Sequence, residues 1–210
     1  MDNTEVQTVE TTIHGRYLVR RGDPSRLLLG FHGYAESAER HLSELSSIPG
    51  ADEWTVVAIQ ALHRFYNLKT GDVVASWMTK QDRELAIQDN LSYVRNVIAR
   101  MTPGGTVVFA GFSQGASMAW RAAAAIQCHG VIVLGGDVPP DVSAQTSGHL
   151  PRVLVGRGVR DEWYTDEKLR QDLSFLQSYA DAVETSIFDG GHEWTDEFRA
   201  AASEFLKTIY

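Results

Sequence analysis

At residues 111–115 the chain reads Gly-Phe-Ser-Gln-Gly, directly after the apolar run Thr-Val-Val-Phe-Ala and directly before a small-residue segment of helical character. Ser113, at the centre of this G-x-S-x-G, is placed as a nucleophile would be. The two glycines permit a turn so sharp that a side chain would clash, leaving the serine strained and its hydroxyl exposed. The helix start behind it brings free N–H groups and the positive end of a dipole to the same point, where developing negative charge is favoured. The pentapeptide alone is a weak signal; the strand before it and the helix after it are what the motif requires. The hydroxyl still needs a base, usually an imidazole held by a carboxylate.

Of the seven histidines, His192 fits that role, in FDGGHEWTDEF after the extended run 183–188 and just before a helix start. His41 and His63 read as solvated surface residues, His14 as part of a turn, His129 as a helix-end residue, and His149 has no evident partner. For the acid, Asp161 in PRVLVGRGVRDEWYT lies just past the run 153–155, and Asp137 in VLGGDVPP lies just past the run 131–134. Asp161 is preferred, because its strand immediately precedes the histidine's and Ser–Asp–His is the chain order that accompanies this elbow. Asp189 is too near His192 on one loop. An oxyanion needs two backbone N–H groups. Gln114 supplies one; the other is expected in HGYAES, where Gly33 lets the chain turn and the Tyr34 N–H is the candidate. His32 reads as a hydrogen-bonded anchor of that loop.

The elements that must position these residues alternate along the chain. Extended runs at 6–13 and 16–21, separated by His14-Gly15, predict a β-hairpin. A strand at 27–31, a polar helix at 38–47 and a strand at 54–59 follow, then a long non-periodic loop at 60–79. A helix from 81 to 101 carries Ile87, Leu91, Val94, Ile98 and Met101 on one stripe, and Thr102-Pro103-Gly104-Gly105 stops it. Strand 106–110, helix 113–127, strands 131–134 and 153–155, helix 165–180, strand 183–188 and helix 195–208 complete the order. Apolar strands alternating with helices give a mostly parallel sheet covered on both faces, and without repeats or linkers residues 1–210 form one α/β domain. Ligands in such sheets bind at the carboxyl ends of the strands.

Composition narrows the function. The chain has 210 residues, 43% hydrophobic and 22% charged, which suits a globular fold, and a formal net charge of −8. That balance argues against nucleic acid or an anionic membrane as a stable partner. A single cysteine, Cys128, rules out an intrachain disulfide, and it reads as a small buried residue at a helix end. The acidic start MDNTEVQTVE has no apolar core of a signal peptide, so a cytoplasmic location is expected.

LLLGFHGYAES, GFSQGAS, GRGVRDEWYT and GGHEWT, in this order between residues 27 and 194, together resemble the α/β-hydrolase superfamily. Within it they look most like the phospholipase/carboxylesterase group that includes the acyl-protein thioesterases. The resemblance implies a three-layer fold with a mostly parallel eight-stranded sheet, its second strand antiparallel, while the loop at 60–79 offers only about 20 residues for a lid, so no large lid domain is expected. It implies a Ser113–Asp161–His192 triad that cleaves carboxylic esters or thioesters of small molecules with no cofactor and no metal. A homodimer is open. Ala35 and Ala116 stand where such proteins usually have glycine, and Glu162-Trp163-Tyr164 where the segment is often Val-Pro-like. These departures bear on the acyl pocket rather than on the triad.

Phe65, Tyr66, Trp77, Met78, Trp163 and Trp194 gather in strand-end loops. Singly each suits core packing; as a set they suggest an apolar or aromatic acyl site, with segment 63–78 as its wall. Arg64 and Arg157 are expected in solvent salt bridges. The reading is a serine hydrolase of short to medium or aromatic acyl esters, with thioesters open. The alternatives are an amidase or peptidase on the same triad and a non-catalytic ligand-binding module. Three triad positions and two oxyanion positions in order favour the enzyme.

Overall fold

The computed structural model describes residues 4–101, 104–145 and 149–209, with the side chains of 144 and 145 outside that description. Strands β1 (Arg16–Arg20) and β2 (Asp23–Phe31) come first, then helix α1 (Ala38–Ser46), β3 (Trp54–Gln60), β4 (His63–Tyr66), β5 (Val73–Ser76) and α2 (Arg83–Met101). The chain continues through β6 (Thr106–Phe112), α3 (Gln114–Ala125), β7 (Gly130–Leu134) and α4 (Pro140–Gln145). It ends with β8 (Arg152–Gly158), α5 (Asp166–Tyr179), β9 (Val183–Phe188) and α6 (Asp196–Lys207).

Seven strands form the main sheet in the order β1-β3-β2-β6-β7-β8-β9, all parallel except β1, which runs antiparallel to β3. Period-two alternation sorts its side chains. Leu27, Leu29 and Phe31 join Val94, Val97, Met118, Trp120, Leu169 and Leu176, from α2, α3 and α5. Leu28 turns the other way, towards Leu45 of α1 and Phe198, Phe205 and Leu206 of α6. The result is three layers, with each fully buried Leu or Phe contributing roughly 2 kcal/mol. Three helices start from side-chain caps just past strand ends: Ser37 Oγ accepts from Arg40 N, Thr165 Oγ1 from Lys168 N, and Thr195 Oγ1 from Phe198 N. Each cap fixes where a loop ends and so where the loop's reactive residues lie.

Three expectations are corrected. The hairpin of 6–13 with 16–21 does not form. Residues 4–15 make no strand, and β1 pairs with β3 instead. Val6 and Val9 are 85% and 89% exposed, so the segment has no apolar face that a further strand could cover. The main sheet of the described residues therefore has seven strands rather than eight. Segment 60–79 is not an irregular loop, because β4 and β5 pair as an antiparallel hairpin. Its first strand is exposed at every position, so no burial period betrays it in the sequence. Among the described residues, no helix is long and apolar enough to cross a membrane.

Candidate active site

Strand β6 ends in the turn that carries Ser113, which has φ 55° and ψ −119°, a conformation that costs a side chain on the order of 1–3 kcal/mol. The glycines around it are there for space. A Cβ on Gly115 would stand 2.0 Å from the Phe31 carbonyl oxygen, and one on Gly111 2.3 Å from that of Gly115. The Ser113 N–H is held by the Leu134 carbonyl at 2.9 Å, which ties the turn to β7. Among the described residues Ser113 Oγ makes no hydrogen bond.

The acid sits past β8. Asp161 is 4% exposed. Its Oδ1 accepts the N–H groups of Trp163 (2.8 Å) and Tyr164 (2.9 Å), and its Oδ2 lies 2.8 Å from His192 Nδ1. Burial alone would raise this carboxyl, but the hydrogen bonds from His192, Tyr164 and Trp163 outweigh it and hold it below its ordinary value. With the carboxylate ionised, Nδ1 of His192 donates and Nε2 keeps its lone pair, the tautomer a general base requires. A proline-like residue at position 164 would lack the second of these backbone donors. Asp137 is half exposed and faces Lys168 at 3.6 Å, and Asp189 pairs with Arg160 at the surface, so neither rival holds the histidine.

The histidine and the serine turn are neighbours. The His192 ring lies against that of Phe112, centroids 4.9 Å apart. Gly135 and Gly136, just past β7, stand between the two groups. A Cβ on Gly135 would be 2.9 Å from His192 Cε1 and 3.3 Å from Asp161 Oδ2; one on Gly136 would be 2.6 Å from the Ser113 carbonyl oxygen. Gly135 also has φ 65°, which favours glycine.

Opposite lies the loop after β2. Of its backbone donors, Gly33 N–H goes to Glu36 Oε2 (2.8 Å), Ala35 N–H to the Ala75 carbonyl (3.0 Å) and Glu36 N–H to the Gly33 carbonyl (3.3 Å). Among the described residues the Tyr34 N–H is left without an acceptor, as is that of Gln114 at the start of α3. His32 is fully buried; its Nδ1 donates to the Gly33 carbonyl (2.7 Å) and its Nε2 accepts from Ala61 N (3.1 Å). Burial pushes its pKa down to about 4, so it stays a neutral anchor.

The apolar residues read from the sequence separate into two groups. Tyr66 and Trp163 are 69% and 74% exposed, and Phe65 meets the ring of exposed Tyr34 at 5.8 Å. Trp77 is instead fully buried, its ring beside Phe31 and its Nε1 donating to the His32 carbonyl, so it belongs to the core. Met78 is buried as well, and half-buried Trp194 packs on Phe112 and Phe198. Other readings change too. His41 is no surface residue; it lies wholly buried beside Gly30 and edge-on to Trp194, and burial pushes its pKa down to about 3. His149 pairs with Asp181, and Arg64 and Arg157 bond the carbonyls of His14 and Tyr164 rather than solvent-exposed acids.

Sequence reasoning missed the Gln114 side chain. Its amide accepts from Trp77 N (2.9 Å) and donates to the Met78 carbonyl (3.0 Å), clamping the end of the β4–β5 hairpin onto the serine turn. It also missed Glu36 and the glycine pair 135–136. The one available signal was Gly-Gly directly after an apolar strand.

The model of the phospholipase/carboxylesterase family matches residues 24–210. Among solved structures, the chain is similar to esterase PE8, with 19% identity, a TM-score of 0.76 and 94% of this chain and 100% of that one covered. A carboxylesterase from Mesorhizobium loti gives 17%, 0.74, 92% and 95%, and acyl-protein thioesterase 2 from Zea mays gives 15%, 0.70, 92% and 98%. No curated protein sequence matches the chain.

Proposed function

The chain belongs to the phospholipase/carboxylesterase family of α/β-hydrolases, and from that premise we propose that it hydrolyses carboxylic esters through an acyl-enzyme on Ser113. The observation that carries the reading is the Asp161–His192 hydrogen bond, set beside the strained Ser113 turn across Phe112 and Gly135. His192 Nε2 takes the hydroxyl proton as Ser113 Oγ attacks the ester carbonyl, and Asp161 steadies the imidazolium that forms. The N–H groups of Tyr34 and Gln114 receive the oxyanion. Collapse of the tetrahedral intermediate sends the Nε2 proton to the leaving alcohol. A water then gives its proton to His192 and attacks the acyl-enzyme, and His192 returns that proton to Ser113 Oγ as the acid leaves.

The substrate side of the proposal rests on Tyr34, Phe65, Tyr66 and Trp163, whose apolar and aromatic surface is exposed. Short to medium or aromatic acyl esters of small molecules suit such a site. The whole chain acts as one domain, with no large lid.

The test is hydrolysis of p-nitrophenyl esters of increasing acyl length by wild type and Ser113→Ala. Turnover by the wild type that vanishes in the variant is the expected result. Near-normal turnover by Ser113→Ala would overturn the assignment.

A further inference from the structure

The loop that presents the Tyr34 N–H contains a residue out of place. Ala35 has φ 56°, in the left-handed region that is unfavourable for a non-glycine residue. Such a conformation persists only where its surroundings enforce it. Two contacts do so here. On one side the loop bridges to β5, through Ala35 N–H to the Ala75 carbonyl and Ala75 N–H to the Glu36 carbonyl (2.9 Å). On the other side the Glu36 side chain folds back to take the Gly33 N–H.

The Glu36 side chain is only 13% exposed, and Arg40, one turn along α1, pairs with its second oxygen at 3.2 Å. Burial raises its carboxyl above the ordinary value although the Gly33 N–H and Arg40 act the other way, and the charges of Glu44 and His192 also reach it. A largely buried acid beside a backbone turn is costly to keep unless hydrogen bonds and ion pairs compensate it. One turn further, Glu44 pairs with Arg199 of α6, the helix that follows His192. Glu36, just before the cap of helix α1, thus sits at the loop that presents Tyr34, and Glu44 on that helix sits against the histidine's helix.

We propose that Glu36 is a positioning residue for the oxyanion hole: by accepting the Gly33 N–H it fixes the 33–36 turn so that the Tyr34 N–H alone points outward. This rests on the acyl-transfer reading of Ser113. The Gly33 N–H is engaged elsewhere, and without Glu36 the left-handed turn at Ala35 is held from the β5 side only. The free donor then wanders from the position that the oxyanion, rather than the ground-state carbonyl, requires. Glu36 touches no substrate; it acts through Tyr34.

The experiment compares wild type, Glu36→Met, which keeps volume and removes the acceptor, and Glu36→Gln, which keeps an acceptor and removes the charge. Kinetics on a p-nitrophenyl ester are read beside the exchange rate of the Gly33 amide. Removing an oxyanion donor outright costs about 10²–10³ in kcat, so misplacing one is expected to cost on the order of 10–100-fold in Glu36→Met with KM little changed. Glu36→Gln should recover most of that loss, and Gly33 exchange should quicken in Glu36→Met alone. If Glu36→Met does not fold, Glu36→Ala takes its place. A kcat within about threefold of wild type in the acceptor-free variant, or a loss that falls on KM, overturns the proposal. If wild type cleaves no ester, the functional reading has failed instead, and Gly33 exchange alone decides: equal rates in wild type and Glu36→Met overturn the positioning role.

Discussion

The two sides of Ser113 are built from different material. On one side Asp161 and His192 follow the neighbouring parallel strands β8 and β9, and the acid lies almost wholly out of solvent. On the other side the loop carrying Tyr34 leans on the separate β4–β5 hairpin, whose first strand is exposed throughout. The acid–base side inherits its geometry from the main sheet, so its precision comes with the stability of the fold. The proposed oxyanion side depends on a few bonds made by Glu36, Ala75 and Gln114. The lesson is that chemistry on the first side can be removed without touching structure, whereas on the second a change in structure is itself a change in chemistry.

The strongest test of this contrast is Asp161→Asn. The substitution keeps the shape but inverts the tautomer of His192, and kcat should fall about 10⁴-fold. Thermal unfolding should show little change, and a loss of activity that merely tracked unfolding would erase the distinction between the sides. Gly135→Ala comes next. Its methyl would meet His192 Cε1 at 2.9 Å, and displacement of the ring is expected to cost kcat on the order of 10²-fold, read by kinetics at saturating ester.

A second buried acid on the same side sharpens the comparison. Asp172 accepts from the Tyr164 hydroxyl (2.8 Å) and from Val138 N (3.2 Å), and burial raises its pKa from the ordinary carboxylate value to about 6. Between its ordinary value and the raised one, the folded chain holds a proton that the unfolded chain has lost, so stability falls as pH rises through this window and the loss is complete above the folded value. Denaturant melts should show wild type losing on the order of 2–3 kcal/mol relative to Asp172→Asn between pH 4 and pH 7. A flat difference would place the proton elsewhere. The smallest effect belongs to the oxyanion side: Ala35→Gly relieves the left-handed residue and should stabilise the chain by roughly 0.5–1 kcal/mol. A loss of stability there would mean that the hairpin does not enforce the turn.

The pairing of Asp161 with His192 beside the Ser113 turn was legible because its signals are local. Ser113 lies in a fixed motif between a strand and a helix, and Asp161 and His192 each follow an apolar run at the right place in chain order. On the proposed oxyanion side only the open N–H groups of Tyr34 and Gln114 were legible, which a loop position and a helix start define. Glu36 could not be read, since its role depends on folding back three residues to a backbone N–H. The β4–β5 hairpin escaped because its first strand buries neither face, and Trp77 was misplaced because an aromatic in an apparently irregular segment resembles a pocket wall. The hairpin expected at 6–13 failed for the opposite reason: β-forming residues alone do not make a strand where no apolar surface awaits them.

The clamp made by Gln114 has one more consequence. It pins the foot of the hairpin, at Trp77 and Met78, to the residue next to Ser113, the proposed nucleophile. The far end closes on itself through Asn67 N–H to the Asp72 carbonyl and Gly71 N–H to the Asn67 carbonyl, with Leu68 99% exposed. Foot and tip are thereby uncoupled: residues can be inserted between 68 and 71 without reaching the chemistry below. That tip is the natural graft point of the molecule, the place where a longer arm could be added to reshape what approaches Ser113 while the machinery beneath stays as it is.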